Sequence, residues 1–426
     1  MSNSIGISPA DILLPQDCGL SKWAVVACDQ YTSQPEYWER VDQYVGDAPS
    51  TLRLILPESR LEGEHVQEDI QQIQETMRRY LEEDQRFFTL ENSYLYVERR
   101  LSNGKLRKGL MVKVDLEQYS YEPGADALIR ATEGTVLSRI PPRMAVRRGA
   151  PIELPHIMVL MDDPDNTVLG PLGGKDAEKT MQRIYSCTLM EDGGRLTGWN
   201  LNEQQREKVD AAVEKLADSK RFEEYYHAPG RPVLLFAIGD GNHSLATAKA
   251  CWEEQKKDVP EAEWADHPAR YALVELVNLH DESLEFEAIH RVVFETDPAT
   301  LLSGLLAAYP GAHEGEGEGH QIRYLYGDKE GVVTVPNPQA QLAVGTLQNF
   351  LDAWLAQHGG KVDYIHGEDV VRSLSVKPNS IGFLLPAMEK GQLYPTVIFD
   401  GVLPRKTFSM GEAQDKRFYM EARKIK

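Results

Sequence analysis

Cysteine is scarce in this chain. Only four (Cys18, Cys28, Cys187 and Cys251) occur in 426 residues, and none forms a CxxC pair. That spacing excludes a disulfide framework or a cysteine-based zinc site and fits reduced thiols. Positive charge is also in short supply: 46 Lys and Arg stand against 66 Asp and Glu, a net charge of −20. A duplex binder displaces counterions from several phosphates with Lys and Arg, so no nucleic-acid partner is expected. No apolar run approaches the roughly 20 residues that span a bilayer, so no membrane partner is expected either. Met1 to Pro15 lacks the basic patch and apolar core of a secretion signal, which makes a cytoplasmic location the expectation. Repeats, low-complexity tracts and Pro/Gly/Ser-rich linkers are missing too, so nothing in the composition marks a domain joint.

What remains is a globular composition, 42% apolar and 26% charged, in which helices and strands alternate. The pattern predicts a mixed α/β fold with two lobes, residues 1–225 and 226–426. In the first lobe a short buried strand is expected at 22–28 and a helix over 35–45. Ile70, Ile73, Met77 and Leu81 carry helical spacing through 65–83. Runs at 94–97 and 110–114 flank Ser102-Asn103-Gly104, a favoured hairpin turn. Another strand is expected at 155–161, and a polar surface helix at 202–226.

The most informative segment opens the second lobe. Residues 232–238 form a continuous apolar run, as in a central strand covered on both faces. It stops at Gly239-Asp240-Gly241, and Leu245, Ala248 and Trp252 then fall at helical spacing. Asp240 or Asn242 can cap that helix. Strand, glycine turn and helix aim backbone N–H groups at one spot, where phosphate binds. A carboxylate at the strand end can hold a metal or polarise a hydroxyl, and His243 adds a titratable group. Glycine beside aspartate is equally ordinary turn chemistry, in which Asp240 merely satisfies backbone donors. Upstream, Arg139, Arg143, Arg147 and Arg148 cluster around Pro141-Pro142. They form either a small-anion site or a solvated basic loop.

The segment Ile238-Gly239-Asp240-Gly241-Asn242-His243-Ser244 resembles the Asp-Gly-His-His-Arg signature of the bacterial domain of unknown function 1015 family. Ala131-Thr132-Glu133-Gly134-Thr135 is similar to that family's His-Glu-x-Thr segment, and Ala288-Ile289-His290-Arg291 to its Pro-Thr-His-Arg segment. Leu403-Pro404-Arg405-Lys406-Thr407 is similar to its Met-Pro-x-Lys-Ser-Thr box. The same loop resembles the ParB/sulfiredoxin-like superfamily, which includes free-serine kinases. The resemblance implies transfer or hydrolysis of a nucleotide phosphate, with ATP or ADP as nucleotide, magnesium as cofactor and a small hydroxylated metabolite as partner. By that reading Asp240 holds magnesium or orients the acceptor hydroxyl, Glu133 is the general base and His243 a further catalytic group. Gly241, Asn242 and Ser244 cradle phosphate. Arg139, Arg143, His290, Arg291, Arg405, Lys406 and Thr407 complete the ligand site. The departures are Asn242 for the first histidine, Ser244 for the arginine and Thr132 for the histidine before Glu133. A serine cannot make an arginine's bidentate phosphate contact. That change suits the alternative, a nucleotide- or metabolite-binding regulator without turnover. His290-Arg291 also lies within an apolar strand pattern, where a satisfied core histidine is the other reading.

Overall fold

Leu95-Tyr96-Val97 and Leu110-Met111-Val112 have no polar face, so strands built from them need cover on both sides. In the computed structural model, which describes residues 5–426, they lie in a mixed ten-stranded sheet. Its order is Gln182–Thr188, Arg195–Asn200, Leu95–Arg100, Leu106–Asp115, Tyr271–Asn278, Met158–Met161, Phe236–Asp240, Ile129–Arg130 and Tyr119–Ser120, with Ile7–Ser8 paired to Leu106–Asp115. Successive residues alternate between two cores. Leu95, Val97, Met111 and Leu273 face one, with Trp23, Val25 and Phe418. Tyr96, Leu110, Val112 and Val274 face the other, with Phe236, Ile238, Leu245 and Trp252.

The hairpin pairs Leu95 with Met111 and Arg100 with Leu106, and Gly104 takes φ 83° in its turn. The Pro35–Val45 helix forms as expected, and Val66–Arg78 passes into a π turn at Arg79–Glu83. The 202–226 helix is two helices, Glu203–Leu216 and Ser219–Tyr226, because Asn202 and Asp218 each cap a new start. Residues 22–28 are not a strand. Leu20–Trp23 winds into one helical turn, and the buried segment after it makes a single bridge, Val26 to Phe418.

The chain divides into two compact units, Met1–Leu284 with Gly411–Lys426, and Glu285–Met410. The expected boundary at 225/226 falls inside the first unit. The reason is that Phe236–Asp240 sits between Met158–Met161 (antiparallel) and Ile129–Arg130 (parallel), so its partners come from before the boundary. The second unit is an antiparallel sheet in the order His313–Glu314, Lys329–Val335, His320–Tyr326, Ser380–Leu384, Phe286–Phe294 and Lys361–His366. Phe408–Met410 pairs with the start of Phe286–Phe294. Among the described residues no helix is long and apolar enough to cross a membrane.

The C-terminal segment is fastened to the first unit by buried ions. Arg99 donates to the carbonyls of Gly193, Gln414 and Lys416 at 2.8, 2.8 and 3.0 Å, and Arg107 to that of Asp415 at 3.0 Å. Arg417 pairs with Glu275 at 2.6 Å and with Glu421, and Arg423 with Glu153 at 2.7 Å. Gly109 makes room for this network: a Cβ there would stand 2.4 Å from a Glu275 oxygen.

Candidate functional site

The apolar run ends at Asp240, and Gly241 turns the chain with φ 80°, a conformation that favours glycine. The Asn242–Gln255 helix starts directly after it, so Gly241 itself is the N-cap, and among the described residues no side chain caps the helix. Asp240 uses Oδ1 to accept the Gly241 N–H at 2.9 Å, and Oδ2 accepts from Lys416 Nζ at 3.1 Å. Burial works to raise the Asp240 carboxyl pKa. The Lys416 ammonium, His156 and the Gly241 amide outweigh that effect and hold it below the usual carboxylate range. The carboxylate therefore stays ionised with a cation already beside it.

The other loop residues are each tied to a neighbour. Asn242 Oδ1 accepts the Thr132 N–H at 3.2 Å, its Nδ2 donates to Thr132 Oγ1 at 3.3 Å, and Thr132 Oγ1 donates to the Ile238 carbonyl at 2.6 Å. His243 Nε2 accepts the Val136 N–H at 3.3 Å, which puts the proton of the neutral ring on Nδ1. Burial, then Arg143 and Arg139, push the His243 pKa down, so the ring is neutral at pH 7. Glu133 is half-buried between the two positions, Thr132 and Val136, that bind this loop. Ser244 Oγ lies 2.8 Å from His156 Nε2.

The basic cluster folds as the short 3-10 turn Leu137–Arg139 followed by the helix Ile140–Arg148, which packs against Asn242–Gln255. Three of its four arginines are neutralised: Arg143 by Glu58 at 2.6 Å, Arg147 by Glu153 and Arg148 by Glu254, both at 2.7 Å. Arg139 is exposed and makes no ion pair among the described residues. Also among the described residues, no three His, Cys, Asp or Glu side chains converge as a metal site. Of the expected residues, Asp240, Gly241, Asn242, His243, Ser244, Glu133, Arg139 and Arg143 thus lie in one region of the first unit.

The rest lie in the second unit. Arg291 is fully buried, and its guanidinium donates to Gln348 Oε1 at 3.2 Å, to the Arg405 carbonyl at 2.8 Å and to the Ile289 carbonyl. Burial lowers its pKa to about 10, so it stays charged. It holds the 404–407 turn rather than offering its fork to a phosphate. Within that turn Lys406 has φ 55° and Thr407 Oγ1 donates to the Pro404 carbonyl at 2.6 Å, while Arg405 lies over the Tyr364 ring. His290 accepts the Leu385 N–H through Nδ1 at 3.1 Å. With His320 and Thr407 it lines a cavity of about 510 Å³.

Sequence reading missed Lys416, His156 and Tyr419. Lys416 and Tyr419 lie in a charged tail with no periodic signal. His156 had one signal, its place at the head of an expected strand. Antiparallel pairing of Met158–Met161 with Phe236–Asp240 brings that head beside Asp240.

Three solved structures show how far the likeness to known folds extends. A free serine kinase in complex with AMP is 11% identical, with 74% of this chain and 92% of that chain covered and a TM-score of 0.38. A conserved hypothetical protein from Pyrococcus furiosus is 12% identical over 71% and 90%, TM-score 0.34. SbnI from Staphylococcus aureus, truncated at its C-terminus, is 9% identical over 71% and 82%, TM-score 0.35. Likeness at that level establishes neither a shared ligand nor a shared reaction. No curated protein matches the chain. The match that places it is to a family model covering residues 9–354: the chain belongs to the family described as protein of unknown function (DUF1015).

Proposed function

We propose that the Asp240 loop binds a nucleotide, ATP or ADP, and passes a phosphoryl group to a small-molecule hydroxyl or to water. The observation that carries this reading is the ionised Asp240–Lys416 pair at the N-terminal end of the Asn242–Gln255 helix. Phosphoryl transfer needs little covalent chemistry from the protein: oriented donors, cations on the phosphate oxygens and a carboxylate to orient the acceptor. The first-turn amides of Asn242 and His243 have no acceptor within the helix and suit phosphate oxygens. Lys416 and Arg139 supply positive charge, and Asp240 or Glu133 orients and deprotonates the acceptor. Asp240 is the carboxylate that would hold a magnesium ion bound with the nucleotide, and that ion would supply charge neutralisation at the phosphate oxygens.

A regulator that binds without turnover is the second reading. The pairing of Arg143 with Glu58 and the serine at 244 favour it, since both remove cations from a phosphate.

Thermal unfolding with ATP or ADP, with and without magnesium, tests the site. A ligand at 100 times its Kd adds about 2.7 kcal/mol of stability, and Asp240→Asn should abolish the magnesium-dependent part. Asparagine keeps an acceptor for the Gly241 amide, so folding should hold. A full nucleotide shift in that variant would refute the assignment. Product formed from ATP separates the enzyme from the regulator.

A further inference from the structure

Three side chains from distant stretches line up behind the first turn of the Asn242–Gln255 helix. Ser244 Oγ is 2.8 Å from His156 Nε2, and His156 Nδ1 is 2.8 Å from the Tyr419 hydroxyl. That hydroxyl also accepts the Cys28 N–H at 3.1 Å. The His156 and Tyr419 rings meet edge to face, 5.6 Å apart at 84°, and Tyr419 is 1% exposed. The imidazole is thus held at both nitrogens. A hydroxyl, a base within reach of it and a third group that orients the base form the constellation that activates a nucleophile. Ser244 is half-buried rather than enclosed, and it sits where the family signature carries arginine. Asp240 lies close enough to His156 for the two groups to interact electrostatically.

We propose that Ser244 is the covalent nucleophile of this site, with His156 its general base and Tyr419 the residue that positions His156. That the group it accepts is a phosphoryl rests on the nucleotide reading above; the nucleophile itself does not. With a nucleoside triphosphate, Ser244 Oγ attacks the γ-phosphorus as its proton passes to His156 Nε2. The Oγ–P bond forms, the bond from γ-phosphorus to the bridging oxygen breaks, and that electron pair leaves with the nucleoside diphosphate. In the second half an acceptor hydroxyl or water attacks the phosphoserine. Its proton leaves through Glu133 to solvent, the Oγ–P bond breaks, and Ser244 Oγ recovers its proton from His156.

The experiment treats the full chain with a fluorophosphonate probe, which phosphonylates activated serines with loss of fluoride. In parallel the chain is incubated with radiolabelled ATP and magnesium, and adducts are mapped by mass spectrometry. The expected result is a phosphonyl adduct on Ser244 that is absent in Ser244→Ala. Labelling should slow by about 100-fold or more in His156→Asn, the usual scale for losing a general base. Tyr419→Phe keeps the ring, so a packing role would leave the pH profile of labelling unmoved; a positioning role displaces it. A phosphonyl adduct without phosphate from ATP supports the nucleophile and refutes the nucleotide donor. An ATP-induced rise in melting temperature with no adduct of either kind on Ser244 overturns the nucleophile and keeps the nucleotide reading. Unslowed labelling of folded His156→Asn overturns the base. Mapping on the natural sequence needs no variant, so a misfolded variant leaves the decision intact.

Discussion

Arg417 is the buried cation on which the C-terminal segment turns. Its side chain is 3% exposed, it donates to the Pro155 carbonyl at 3.1 Å, and it pairs with Glu275 at 2.6 Å and with Glu421. Arg417→Met keeps most of the volume and removes the charge. Among the described residues, Glu275 then keeps Arg107, at 3.5 Å, and Glu421 keeps the Tyr185 hydroxyl. Removing one partner of a buried pair costs about 3–5 kcal/mol, because the charge left behind has lost both water and its counter-ion. For a unit of this size, roughly 2 °C per kcal/mol puts the drop in melting temperature at about 6–10 °C. Urea unfolding followed by tryptophan fluorescence reads the loss directly. The deficit should shrink on moving from about pH 8 to pH 5, because an orphaned buried carboxylate has a raised pKa and regains stability by binding a proton. Adding Glu421→Gln should recover part of the loss, since it removes one orphaned charge. A loss below about 1 kcal/mol, or one that does not change with pH, would refute the reasoning. Arg417 stands between Lys416 and Tyr419, so the same variant should also lose the ligand responses of the Asp240 loop.

Burial holds His243, His290 and His320 below the ordinary value of 6.5. The unfolded chain therefore binds more protons, and stability should fall as pH drops from about 7.5 to 5.5; His243→Gln with His290→Gln should flatten that slope in urea titrations. Gly241→Ala forces an L-residue to φ 80° with Ile157 atoms 3.1 Å from the new Cβ. It should cost about 1–2 kcal/mol in chemical denaturation and weaken nucleotide-induced stabilisation; unchanged stability would show that the turn tolerates a side chain. Burial pushes the Cys28 thiol up to about 12 and the Cys187 thiol to about 11. Both should resist alkylation of the native protein at pH 8 and react once it is unfolded; rapid native labelling of either would contradict the packing around it.

Much of the fold was legible because its signals are local. The Asn103-Gly104 turn, the apolar run ending at Asp240 and the spacing of Leu245, Ala248 and Trp252 each lie within a dozen residues, and the backbone answers to them directly. Segment 22–28 misled for the same reason. Its apolar run records burial, and burial does not distinguish a strand from a short helical turn followed by extended chain. His290 and Arg291 matched a family motif, yet the fold sets them in a different unit from Asp240 and spends Arg291 on backbone carbonyls.

By itself the sequence determined an α/β protein with few cysteines, low positive charge and a strand–glycine–helix corner at Asp240. Tertiary structure alone decided what meets that corner. Lys416 reaches Asp240 across 176 residues of chain, and Tyr419 reaches His156 across 263. Those contacts exist because Arg99, Arg107, Arg417 and Arg423 need buried partners and fix the tail in one register. Which distant carbonyl or carboxylate satisfies a buried guanidinium depends on how the whole chain packs, and no local pattern carries that information.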